Sequence, residues 1–199
     1  MPLPSLLEQL DSVGEVSSED MASAVNDLGS KVSLLLEALT TWKHRFESKC
    51  QSLSVQPAKE SVGGVHFVAD GLVPLWFPNI LAANSMCHFW AFSMIVMASF
   101  RDFQISSGSY VAFPCQKTSI QFNLWTEQMD EYAENICRSI DYQVLPEMKL
   151  FGPPSTFLPM SVAHKHFDER GPQKRALRDW CKSKIEQLVT HGFKLAEFV

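Results

Sequence analysis

Between Met21 and Phe46 the apolar positions Met21, Val25, Leu28, Val32, Leu35, Leu39, Trp42 and Phe46 recur at alternating spacings of four and three. That is a heptad pattern, and it predicts an amphipathic helix with one apolar seam. Ser17-Ser18-Glu19-Asp20 stands just ahead of it. Hydroxyls there can cap the first N–H groups, and the acids suit the positive end of the helix dipole, so the helix is expected from residue 18 to about Cys50. Gly29 lies inside it and costs about 1 kcal/mol relative to alanine, which makes it a place to bend. Leu34, Leu36 and Ala38 widen the stripe, and Trp42 is bulky for a two-stranded seam. Packing within the chain is therefore expected over an intermolecular coiled coil, with Leu35, Leu39, Trp42 and Phe46 meeting the helices that start at Asn79 and Ser119.

The pattern then changes character. Ser52–Gly64 is polar, with Pro57 and paired glycines, and reads as a linker. Val65–Val68 could form a short strand, although no alternating partner lies nearby. Pro74 and Pro78 bracket Leu75-Trp76-Phe77, an extended apolar anchor. From Gly71 to Phe100 there is no Asp, Glu, Lys or Arg. The run is long enough to span a bilayer. Asn84, Ser85, His88, Ser93 and Ser99 interrupt it, however, and no basic cluster flanks it. A central buried helix over Asn79–Phe103 is expected instead, with Phe89, Phe92, Ile95 and Val96 largely buried.

A third helix, from Ser119 to Leu145, follows from Trp125, Met129, Tyr132, Ile136, Ile140 and Val144, and Pro146 should end it. After the Gly152-Pro153-Pro154 break, Ser155 is expected to cap a helix reaching Phe167. Gly171-Pro172 breaks the chain again, and a last helix should stop near His191-Gly192. The fold class is all-α: a bundle or array of five to six helices around a central apolar helix. Its segments are an acidic stretch over 1–17, a long amphipathic helix over 18–51, a linker and anchor over 52–78, and a helical core over 79–199. Residues 18–199 are expected to form one domain.

Composition adds limits. The 199 residues are 46% hydrophobic and 20% charged, with a net charge of −5. This is ordinary for a globular chain. Residues 1–30 hold six acids and no Lys or Arg, so nucleic acid is not the expected partner. Cys50, Cys87, Cys115, Cys137 and Cys181 lie at least 22 residues apart, which argues against a disulfide framework and against paired zinc ligands. Met1–Asp20 lacks the basic and apolar regions of a secretory signal.

Catalytic signatures are few. No G-x-G-x-x-G, P-loop, G-x-S-x-G or H-E-x-x-H occurs. His164-Lys165-His166-Phe167-Asp168 has the order of a metallo-hydrolase loop, but positions i and i+2 of a helix point about 200° apart and cannot share an ion. Cys137 with His88 or His164 would be a nucleophile–base pair that nothing in the spacing supports. Asn84 and His88 share a helix face and read either as a polar ligand pocket or as a structural pair hydrogen-bonded across helices, with the second expected. Between His164 and Lys184 seven basic residues face three acids, a local +4 that reads as a solvated face more readily than as a phosphate or nuclear-import patch.

Trp76-Phe77-Pro78, Ala83-Asn84-Ser85, His88 and Trp90-Ala91-Phe92 resemble a segment of the fungal-specific regulatory region of zinc binuclear-cluster transcription factors. Tyr132, Ile136-Cys137-Arg138-Ser139-Ile140, Tyr142, Glu147-Met148, Gly152-Pro153 and Ser155-Thr156-Phe157 resemble the C-terminal helices of that group, as do Trp180-Cys181 and His191-Gly192-Phe193. The likeness covers about residues 30–199. It implies an all-helical, non-catalytic regulatory domain involved in transcription regulation, nuclear by resemblance, with the cytoplasm left open. It implies no cofactor and no metal. Partners would be proteins of the transcription machinery, a second copy of the chain, or a small-molecule effector, with no membrane. The six-cysteine DNA-binding module of the family has no counterpart in these scattered cysteines, so direct DNA binding is not carried over. Either a preceding coding segment supplies that module or the domain stands alone. The alternative function is a small helical enzyme or ligand-binding protein with an interior pocket near Asn84 and His88.

Overall fold

A computed structural model describes residues 4–5, 8, 18–49, 56–57, 68–106, 118–148 and 151–190. The described residues form an all-α array. Helix α1 is Ser18–Lys49, α2 is Ile80–Ser106, α3 is Thr118–Gln143, α4 is Phe157–Glu169 and α5 is Arg175–Thr190. Short 3₁₀ turns cover Ala69–Gly71, Pro146–Met148, Pro153–Thr156 and Gly171–Lys174. Two short strands, β1 at Gln56–Pro57 and β2 at Leu75–Trp76, pair antiparallel with Gln56 opposite Trp76. Residues 65–67 of the strand expected over Val65–Val68 and the stop at His191-Gly192 lie outside the described residues. Val68 itself is not in a strand.

The helix ends follow from side chains. Asn79 Oδ1 accepts the Ala82 N–H at 2.9 Å, capping α2. Pro146 ends the helical run after α3 and opens a 3₁₀ turn. After α4 the backbone turns left-handed at Gly171, φ 67°, the conformation a glycine adopts without a Cβ clash.

Two compact units are present, one made of Met1–Arg45 with Phe92–Met129 and the other of Phe46–Ala91 with Asp130–Val199. In the first, Leu28, Val32, Val96 and Phe100 form a buried cluster, with Leu35, Leu36, Phe103 and Trp125 packed against it. The Phe100 ring lies 6.2 Å from both Phe103 and Trp125. The α1 seam thus packs within its own chain, but further toward its start than the sequence suggests. Leu39 and Phe46 are half-buried, and Trp42 is 40% exposed. The apolar pattern of α1 runs on past the stripe that this cluster covers.

In the second unit the core is built from Ala83, Met86, Cys87, Ala133, Ile136, Cys137, Ile140, Met160, Ala163 and Phe167. Phe89 meets Tyr132 edge-on at 5.7 Å, and Tyr142 receives both Trp76 and Phe77 at about 5.5 Å. Arg138 Nε donates to the Val73 carbonyl at 2.7 Å and pins the extended segment that carries β2.

Helix α2 is long and apolar enough to cross a membrane by length and composition, yet 61% of its most apolar window is buried within the protein. Phe89, Met94, Val96, Met97 and Phe100 are buried, whereas Phe92 and Ile95 are half-buried. Those two are less completely buried than the others, and the reason is geometric. Asn84, His88, Phe92, Ile95 and Ser99, at helical spacings of four and three, form one half-open stripe of α2. A helix apolar on every side does not announce which stripe stays open.

Candidate functional site

Of the residues singled out by sequence, Asn84, Gly152 and Ser155 meet at the turn between α3 and α4. Asn84, on α2, uses both ends of its amide there. Its Nδ2 donates to the Phe151 carbonyl at 3.3 Å, and its Oδ1 accepts the Ser155 hydroxyl at 2.7 Å. The same hydroxyl lies 2.7 Å from the Gly152 carbonyl and 3.3 Å from Gln143 Oε1. Gln143, fully buried, donates its Nε2 to Cys87 Sγ at 2.9 Å. Ser155 therefore ties the turn to α2 and α3. It sits inside the 3₁₀ turn and does not cap α4, whose preceding residue Thr156 offers no side-chain cap.

Gly152 explains why the turn fits. A Cβ there would stand 1.9 Å from the Gln143 carbonyl oxygen and 2.9 Å from Met148 Cβ. Only a residue without a side chain allows this backbone approach. Pro153 is buried beside it, while Glu147 is exposed in the preceding 3₁₀ turn and Pro78 is exposed ahead of α2. Trp90 is buried on α2. Trp180 is half-buried on α5, with Lys184 Nζ 5.4 Å from its ring centroid.

His88 lies one turn beyond Asn84 on α2. Its Nδ1 pairs at 2.8 Å with the Asn84 backbone carbonyl one turn earlier. Among the described residues every fully buried side-chain nitrogen or oxygen has a hydrogen-bond partner. Asn84 thus joins α2 to the 151–156 turn.

Among the described residues the cysteines, Cys87, Cys137 and Cys181, are buried. Burial pushes the Cys87 thiol up to about 12, against the opposing effect of hydrogen bonds from Ser139 and Gln143. Burial raises Cys137 well above its ordinary value, and Cys181, whose sulfur is 3.4 Å away, raises it further. Thiols held protonated are poor nucleophiles. Cys137 faces Cys181, while His88 bonds to the Asn84 carbonyl and His164 lines a cleft against α5.

The two histidines of His164-Lys165-His166 diverge, as their i, i+2 spacing on α4 requires. His166 is buried, and its Nε2 lies 2.6 Å from Asp130 Oδ1 on α3. Burial lowers its pKa below the ordinary imidazole value; the Asp130 carboxylate opposes this without overcoming it. His164 and Asp168, one turn apart, instead line an open cleft of about 490 Å³ with Arg178, Asp179, Lys182, Ile185 and Glu186 of α5. Among the described residues no group of three His, Cys, Asp or Glu side chains could hold a metal ion.

Electrostatics across α3 account for much of the basic run. Asp130, Glu134 and Asp141 lie in one row of α3, and each holds a cation. Arg170 grips Asp130 with two bonds of 3.1 and 3.0 Å, Lys174 reaches Glu134 at 2.5 Å, and Lys184 reaches Asp141 at 2.9 Å. Arg178 pairs with both Asp168 and Asp179. Sequence reading found Asn84, Ser155 and Gly152 but missed Gln143 and the acid row, because their partners lie 12 to 56 residues away. Compared with protein-family models, curated proteins and solved structures, the chain gives no match.

Proposed function

We propose that this chain is a non-catalytic regulatory and interaction domain of the kind found in fungal transcription regulators, acting through protein partners or a small effector and not through direct contact with DNA. The observation that supports this reading is the use made of the motif residues. Asn84, Gly152 and Ser155 are spent on fastening helices to one another. Their chemistry is structural, and a scaffold of this kind presents surfaces. The family resemblance of the same residues points the same way.

The test is transcriptional. The full chain, fused to an unrelated DNA-binding module, is expected to change expression of a fungal reporter carrying that module's site. Ser155→Ala and Asn84→Ala should weaken the effect in step with the loss of folded protein. Reporter output equal to that of the module alone, from a fusion shown to be folded, overturns the reading.

A further inference from the structure

We infer that Cys137 and Cys181 are a reversible dithiol–disulfide pair that latches α5 onto α3. Cys137 Sγ and Cys181 Sγ lie 3.4 Å apart, on two different helices and 44 positions apart in sequence, and both are buried. A disulfide of about 2.05 Å needs the two sulfurs to close by only a little over 1 Å. The two helices are already registered around this point. Lys184, three residues beyond Cys181, pairs with Asp141, four residues beyond Cys137. Lys174, in the turn that leads into α5, pairs with Glu134.

The oxidant is of the peroxide class. Its O–O bond breaks as one thiol takes up oxygen to become a sulfenic acid, releasing one water. The second thiol then displaces that oxygen as a second water while the S–S bond forms, so two electrons pass from the sulfur pair to the peroxide. A dithiol reductant reverses the step by exchange.

Burial protects the pair in the closed state, because both thiols are shielded and Cys137 is held protonated. Oxidation therefore follows the opening of α5. That helix is fastened by few buried side chains, Leu177, Cys181 and Leu188, together with partly exposed ion pairs. It is the kind of element that opens ahead of global unfolding. The latch accordingly forms when α5 loosens, and it then holds the helix in place.

The experiment uses the full chain with Cys50→Ser and Cys115→Ser, so that Cys87 is the one competing thiol. Hydrogen peroxide is added with and without urea below the unfolding transition, and the protein is digested without reductant for mass spectrometry. The expected result is one cross-linked peptide pair containing Cys137 and Cys181, formed faster in urea and reversed by dithiothreitol. The thermal midpoint of the oxidised protein should rise by at least about 5 °C, because the link closes a long loop in the unfolded chain. A Cys87–Cys137 link, sulfinic acid without a cross-link, or a cross-link that leaves the midpoint unchanged overturns the inference.

Discussion

At the scale of single residues, Gly152 is the most demanding position in the fold. A methyl group there would run into the Gln143 backbone carbonyl at 1.9 Å, and a backbone atom inside a helix end cannot swing away as a long side chain could. Gly152→Ala should therefore destabilise the protein by about 3 kcal/mol or more, at the upper end of overpacking costs. Urea denaturation checks this, and an unchanged midpoint would show that the close approach is not present in solution. Asn84→Ala is milder. It strands the Phe151 carbonyl and removes the acceptor of the Ser155 hydroxyl, at a cost of about 1–3 kcal/mol.

His166 gives a pH signature. Its folded pKa lies below the unfolded one, so between the two values the unfolded chain binds more protons, and stability falls as pH drops through that window. The fall begins near the ordinary histidine value of about 6.5. The groups facing the ring are Asp130 on α3 with Glu169 and Arg170 on its own helix side. His166→Gln can still bond to Asp130 and does not titrate, so its stability should vary less with pH there. Parallel wild-type and variant curves from pH 7 to pH 5 would contradict the buried, neutral imidazole.

At the scale of elements, the helices were legible because their ends carry local chemistry. Asn79 ahead of α2, Pro146 after α3 and Gly171-Pro172 before α5 each act on backbone groups within a few residues. What packs on what was less legible. The α1 heptads continue to Phe46, while the buried part of the seam is Val25, Leu28 and Val32. Which half of a seam is covered depends on the partner, and the partner side chains Val96, Phe100 and Trp125 lie 64 to 97 residues on from Leu28 and Val32. The candidate site was legible in kind but not in wiring: Asn84 and Ser155 were visible as polar residues among apolar ones, and their mutual bond spans 71 positions. A pair of substitutions tests the α1 assignment. Leu28→Ala should cost about 2–5 kcal/mol, as for a buried leucine that leaves a cavity. Leu34→Ala, at a side chain 65% exposed, should stay within about 0.5 kcal/mol. Equal losses at the two sites would mean that a different stripe of α1 is covered.

At the scale of the whole molecule, charge decides what the chain can do with a polyanion. The net charge is −5, and the first thirty residues carry six acids and no Lys or Arg. The stretch from His164 to Lys184 is the place where a phosphate backbone could be met, and four of its seven basic residues, Arg170, Lys174, Arg178 and Lys184, are already held by carboxylates of the same chain. A cation shared with an internal carboxylate releases fewer counterions on binding DNA, and that release supplies most of the non-specific affinity. Specific readout would further need side chains presented to base edges, a task that the resemblance assigns to a cysteine module with no counterpart in this sequence. The expected outcome is that the isolated chain shows only weak retention of duplex DNA in a gel-shift titration at low salt, and none at about 0.15 M. Glu134→Gln and Asp141→Asn together release Lys174 and Lys184 from their carboxylates, so the double variant should bind better at low salt and show a steeper loss with added salt. Sequence-selective retention by the unaltered chain that survives unlabelled competitor DNA would overturn the argument, because the internal pairing would then not be what limits contact with phosphate.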